Sequence, residues 1–268
     1  MKKIPTDLTE RKWFYPFIYL LFLIISFLPL YTEKAYAYEN TQDVIINLLM
    51  VVLIPYKAWG IVFHITTLII VLYIALRPEK SGRLFSAYMG LNFLVIALVQ
   101  SSGTTEKYGF VMQTSSLVMS IILGFIWIWV TIRGDIEASF KDKHWYHFPL
   151  LLLALLSFWS PYKVVGTAVV PNFDPLLLFT SPDYGLTFCF TLPVFLFLLI
   201  LFFPKVNLFA YRITAFNGLL YALFNLTHWF NPDSRWMGVL HIPLLVLSIF
   251  ALIQSRTPKV NRVSKSSE

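Results

Sequence analysis

Four side chains in this sequence could hold a transition-metal ion or ligate haem iron: His64, Cys189, His228 and His241. Thiolate and imidazole suit zinc and copper, and imidazole also ligates haem iron. One Cys and two His from separate segments would leave a fourth coordination position open. No compact CxxC or HxxxH spacing is present, so any such site requires convergence of segments far apart in the chain. Gln100, Gln113 and Asn217 are the polar residues expected to support it. Asp233 and Arg235 follow in the loop Asn231-Pro232-Asp233-Ser234-Arg235-Trp236. Asp233 or Asp183 could pair with Arg235 or orient a histidine. The competing reading is structural: His, Gln and Asn often bridge neighbouring helices, and Asn-Pro-Asp and Ser-Pro-Asp are strong turn formers.

The elements that must position these residues are membrane helices. Hydrophobic residues make up 57% of the 268 positions and charged residues 13%. A spanning helix needs ~20 mostly apolar residues to cross a hydrocarbon core ~30 Å thick. Eight segments qualify, at about 13–31, 56–76, 84–101, 108–132, 146–162, 184–204, 213–230 and 237–254. Their length and continuity predict an all-α integral membrane fold; a membrane barrel would show shorter stretches of alternating polarity.

Lys and Arg orient the bundle. Lys2, Lys3, Arg11, Lys12, Arg77, Lys80, Arg83, Arg133, Lys141, Lys143, Lys205, Arg212, Arg256, Lys259, Arg262 and Lys265 all fall on one side, which the positive-inside rule makes cytoplasmic. Both termini are then cytoplasmic, and His64, His228 and His241 lie near the outer ends of their helices. The net charge of +7 reflects this topology and calls for no nucleic acid; the bilayer of the plasma membrane is the expected partner. Ala35-Tyr36-Ala37 could end a cleaved signal peptide, but the stretch before it is long and has a counterpart later, so a retained helix is expected. His144 and His147 flank Trp145 at the inner interface, where headgroup contact is the expected role.

The second half repeats the first. Trp13 to Pro16 and Ser26 to Tyr31 match Trp145 to Pro149 and Ser157 to Tyr162. At an offset of 125 residues His64 aligns with Cys189; at 128, Gln100 aligns with His228, Gln113 with His241, and Gly90 with Gly218. Two parallel four-helix pseudo-repeats follow, about 11–133 and 143–256, with a basic tail at 256–268. Asp43 to Leu76 overshoots one span, and its counterpart from Val169 is broken by Pro171, Pro175 and Pro182. Each repeat is therefore expected to carry an interfacial or re-entrant segment, a long kinked second helix being the alternative for the first.

The general plan of eight spans in two parallel halves is similar to that of haem A synthases. The likeness is architectural: none of their motifs surrounds these histidines, and it implies no residue or activity here. No Walker A, GxSxG or HExxH pattern is present, no Asp or Glu falls within a span, and 237–254 lacks the lysine of a retinal protein. Three readings remain. The first is a metal- or haem-associated site at the outer face. The second is a small-solute transporter lined by Asn92, Asn217 and Gln100. The third is an assembly subunit without a site of its own.

Overall fold

The computed structural model describes residues 8–140, 147–165 and 168–256. Lys2, Lys3, Lys141, Lys143, His144, Trp145 and the tail beyond Arg256 lie outside them. The chain is mostly helical. Four helices are long and apolar enough to cross a membrane: Pro55–Leu76, Pro78–Gln100, Thr114–Arg133 and Pro232–Gln254. Their outward side chains are apolar, with Leu98 74% and Ile132 75% exposed, a surface suited to lipid rather than water. Three more apolar helices, Phe14–Ser26, Phe148–Trp159 and Phe188–Phe202, are shorter.

The α-helices in chain order are α1 (Phe14–Ser26), α2 (Thr41–Leu53), α3 (Gly60–Leu76), α4 (Pro78–Gln100), α5 (Thr114–Arg133), α6 (Phe148–Trp159), α7 (Leu177–Thr180), α8 (Phe188–Phe202), α9 (Leu208–Phe224), α10 (Arg235–Leu240) and α11 (Ile242–Gln254). The first helix stops at Ser26, short of the expected 31. Pro29 lies just beyond, and the chain turns into strand β1 (Leu30–Thr32). The structure also departs from an all-α fold. Strands β1, β2 (Ser102–Thr105) and β3 (Gly109–Gln113) form an antiparallel sheet in the order β1-β3-β2; β4 (Tyr162–Val165) and β5 (Ala168–Pro171) form a hairpin. The expected fourth span at 108–132 thus begins as a strand, and α5 starts at Thr114.

The overlong segment 43–76 is a helix broken by a 3-10 turn at Ile54–Trp59, which holds Pro55. The turn separates α2, packed on β2, from α3. Asp43 at the start of α2 accepts hydrogen bonds from Lys107 Nζ (2.7 Å) and from the Tyr108 hydroxyl, tying α2 to the β2–β3 hairpin.

Helix α8 forms the centre: every residue from Phe188 to Phe202 is buried, with α4, α6, α9 and α11 packed on it. A helix apolar on all faces belongs in such a position. Around it, α4 pairs with α5 and α9 pairs with α11, while α1 rests on α5 and α6 on α11. Two glycines permit the close approaches. A Cβ on Gly90 would meet Ile128 at 3.0 Å across the α4–α5 seam, and one on Gly218 would collide with Ser248 Oγ across the α9–α11 seam.

Candidate functional site

The sequence-predicted residues divide into three places. His64, in α3, is fully buried between Phe158 and Tyr184, with ring centroids 4.4 and 4.8 Å away. Its Nδ1 lies 2.7 Å from Gly60 O and its Nε2 2.8 Å from Phe158 O. Both nitrogens therefore face main-chain carbonyls, and His64 ties α3 to α6. Next to it Thr67 Oγ1 sits 2.9 Å from both the Tyr88 and the Tyr184 hydroxyls. This buried network joins the two halves of the chain.

Gln100 and Asn92 serve the entry to α8. The first N–H groups of a helix have no partner within it, and Thr187, which precedes α8, caps none of them through its side chain. Gln100 Oε1, at the end of α4, accepts from Phe188 N–H at 2.8 Å. Asn92 Nδ2 donates to Gly185 O at 2.9 Å, and Gly185 N–H donates to Thr191 Oγ1 at 2.8 Å. Both amides expected to line a polar interior are thus engaged with the loop before α8. Gln113 is the last residue of β3; its own N–H donates to Ser101 O at 2.8 Å and it directly precedes α5. Asn217 is fully buried, and neither its Oδ1 nor its Nδ2 has a partner.

The third place holds His228, His241 and, nearby, Cys189. His228 lies in the 3-10 segment Asn225–Phe230 that follows α9, and His241 joins α10 to α11. Their rings stack, with centroids 5.5 Å apart and planes 25° apart. His241 Nδ1 lies 2.7 Å from Met237 O, so Nδ1 carries the proton and Nε2 the free lone pair. His228 Nδ1 is buried without a hydrogen-bond partner. A cavity of about 170 Å³ opens here, lined by His241, Asn225, Trp229 and Leu245 among others. Cys189 lies behind it: Asn225 Nδ2 contacts its Sγ at 3.5 Å and also donates to Tyr221 O at 2.8 Å. Among the described residues no group of three or more His, Cys, Asp or Glu is arranged to hold a metal ion.

The flanking loops behave as turns. Asn231 Oδ1 accepts from Asp233 N–H at 3.0 Å, and no ion pair joins Asp233 to Arg235 among the described residues. Trp236 Nε1 donates to Pro161 O at 2.9 Å and Trp159 Nε1 to Asp174 O at 2.8 Å, which fastens α10 and the loop after β5 to the end of α6. Asp183 is buried in the loop before α8, where loss of solvent pushes its carboxyl up to about 6, an effect the Tyr162 hydroxyl offsets only in part. The sequence reading singled out Asp183 and missed Tyr162. Nothing in the spacing of Tyr162 marks it, because its partner comes from another element.

Compared with known protein families, with curated proteins and with solved structures, the chain matches none.

Proposed function

We propose that the chain is an eight-span protein of the plasma membrane with a small-ligand site at its outer end, built on His228 and His241. The ligand that fits this chemistry is a transition-metal ion. The observation that carries the reading is the state of the two imidazoles. Metal-ligating histidines donate one ring N–H to a carbonyl and present the other nitrogen bare, as His241 does toward Met237. His228, stacked on it, keeps a buried nitrogen without a partner, which is costly unless something pairs with it. The adjoining cavity, about 170 Å³, suits an ion with its waters; cofactor pockets run to ~300–1,000 Å³, so haem is disfavoured. Two imidazoles without a grouped thiolate or carboxylate fall short of structural zinc's four ligands, which favours copper or an open zinc site.

Eight spans require α1, α6, α8 and α9 to be counted with the four long helices. The α4–α5 and α9–α11 pairs, each with a glycine at its seam, support two parallel repeats, as does the matched placing of Gln113 and His241 immediately before α5 and α11. The Lys and Arg bias supports cytoplasmic termini.

The test is the copper, zinc and iron content per chain of gently solubilised protein that has never met a chelator. Close to one ion per chain, lost in both His228→Ala and His241→Ala with the helical signal unchanged, is the expected result. Metal-free wild type, or full metal in both variants, overturns the reading.

One observation favours a second reading, passage of a small polar solute. Asn217 has both amide atoms buried and unpartnered, and Ser248 Oγ, beside Gly218, is unpartnered too. Polar groups left bare at membrane depth mark water or solute routes. Flux of a solute that survives Asn217→Leu would dispose of that route.

A further inference from the structure

The opposite end of the bundle holds a larger cavity, of about 300 Å³, between the start of α1, the start of α9 and the end of α11. Its lining changes character along its length. At one end stand Arg212, Ser255 and Arg256; further along α9 come Phe216 and Leu219, joined by Leu252 from α11. Arg212, Phe216 and Leu219 occupy i, i+4 and i+7, one stripe of α9, so the apolar pair lies roughly 6 and 10 Å deeper than the arginine at ~1.5 Å per residue.

Arg212 is held in place before any ligand arrives. Its guanidinium lies over the Tyr15 ring, 4.3 Å from the centroid, and its Nη2 donates to Ser255 O at 2.6 Å. Its Nε makes a longer contact with Ser255 Oγ at 3.4 Å. A guanidinium has five N–H donors, so this anchoring leaves several for a ligand. Arg256 is exposed and lines the same cavity as Arg212 and Tyr19. Two carboxylates at this end are engaged elsewhere: Asp135 with Arg133 and Asn207, Glu137 with Lys205. Among the described side chains neither Arg212 nor Arg256 has an ion-pair partner.

We infer that this cavity binds an anionic phospholipid, its phosphate between Arg212 and Arg256 and its acyl chains against Phe216, Leu219 and Leu252. Two guanidiniums without an ion-pair partner among the described residues suit phosphate, whereas the ammonium of a zwitterionic headgroup would be repelled. The apolar depth of the cavity selects an amphiphile over free phosphate. Basic pockets between spanning helices bind anionic headgroups by the same combination. The inference does not depend on the histidine site at the other end.

The test uses the full-length protein in detergent micelles doped with phosphatidylglycerol, phosphatidylcholine or soluble glycerol phosphate at equal phosphate concentration. Thermal stability and the lipid retained in native mass spectrometry are both read. The expected result is stabilisation and retention with phosphatidylglycerol alone, lost in Arg256→Gln and in Arg212→Gln. The Arg256 side chain makes no hydrogen bond among the described contacts, its backbone N–H alone donating to Ile253 O, so its variant keeps the test valid if Arg212→Gln fails to fold. Arg235→Gln, at the opposite end, should leave retention unchanged. Equal effects of phosphatidylcholine, equal effects of glycerol phosphate, or retention unaltered in Arg256→Gln would each overturn the inference.

Discussion

Gln100 and Phe188 are 88 positions apart, yet the side-chain oxygen of one accepts the backbone N–H of the other at 2.8 Å. The bond joins the end of α4 to the beginning of the central helix. Both residues are buried, so no water replaces a lost acceptor, and an orphaned buried N–H costs ~1–3 kcal/mol. Gln100→Leu should therefore lower unfolding stability in detergent by about that amount. Gln113→Leu should lower it less. Denaturant titration of both variants decides the matter, and equal effects would deny Gln100 its capping role.

Gly185 adopts φ +82°, and a Cβ there would overlap the Phe63 side chain. Gly185→Ala meets both problems at once, a left-handed backbone costing roughly 1–2 kcal/mol and a clash with α3. Sharply reduced folded yield is expected. Adding Phe63→Gly removes every Phe63 side-chain atom that the new Cβ would meet, where alanine would keep the Phe63 Cβ, and leaves the backbone cost, so the double variant should recover part of the yield. No recovery would show that backbone strain dominates.

Asp183 gives the fold a pH dependence of unusual sign. Its carboxyl is raised by burial from 3.8 to about 6, so the folded protein binds the proton more tightly than the unfolded chain. The stabilisation is complete below pH 4 and is lost as pH rises through about 6. A shift of this size corresponds to at most about 3 kcal/mol. Asp183→Asn should flatten the stability profile between pH 4 and 7 and raise stability at pH 7.5. A variant whose profile still falls over that range would locate the effect in another group.

Asp43 works in the reverse direction. Hydrogen bonds from Lys107, then Tyr108, hold its carboxyl below the usual value, so its contribution is present above pH 4 and fades on acidification. The pair is exposed and its contribution to global stability is small. The effect should instead be local: Asp43→Asn at fixed pH should speed amide hydrogen exchange across Thr41–Leu53 and leave α4 unchanged. Unaltered exchange in α2 would mean that its packing on β2 holds it alone.

The membrane character was legible because apolar runs such as Gly60–Leu76 announce themselves in composition. The proximity of His228 and His241 was legible in part, since both sit at helix ends expected on one side. His64 looked equally promising, but its partners are carbonyls of Gly60 and Phe158, and carbonyls leave no mark in a sequence. The same holds for Asn92 and Gln100, whose acceptor and donor lie in the backbone near Gly185 and Phe188. Strand β3 was hidden inside the apolar stretch 108–132, and β2 in the short polar connection before it; pairing of β1 with β3 across some 80 positions is not a local property.

Helix α8 has a consequence for how the protein is made. Its 15 residues reach only ~22 Å, too short to be at ease alone in a bilayer, and in the folded protein every one of them is buried. Two of the helices that enclose it, α9 and α11, are synthesised after it. During synthesis α8 must therefore wait, sheltered by α4 and α6, until α11 arrives. Helix α11 acts as the closing stave of the bundle, and a chain stopped before residue 230 would leave its centre uncovered.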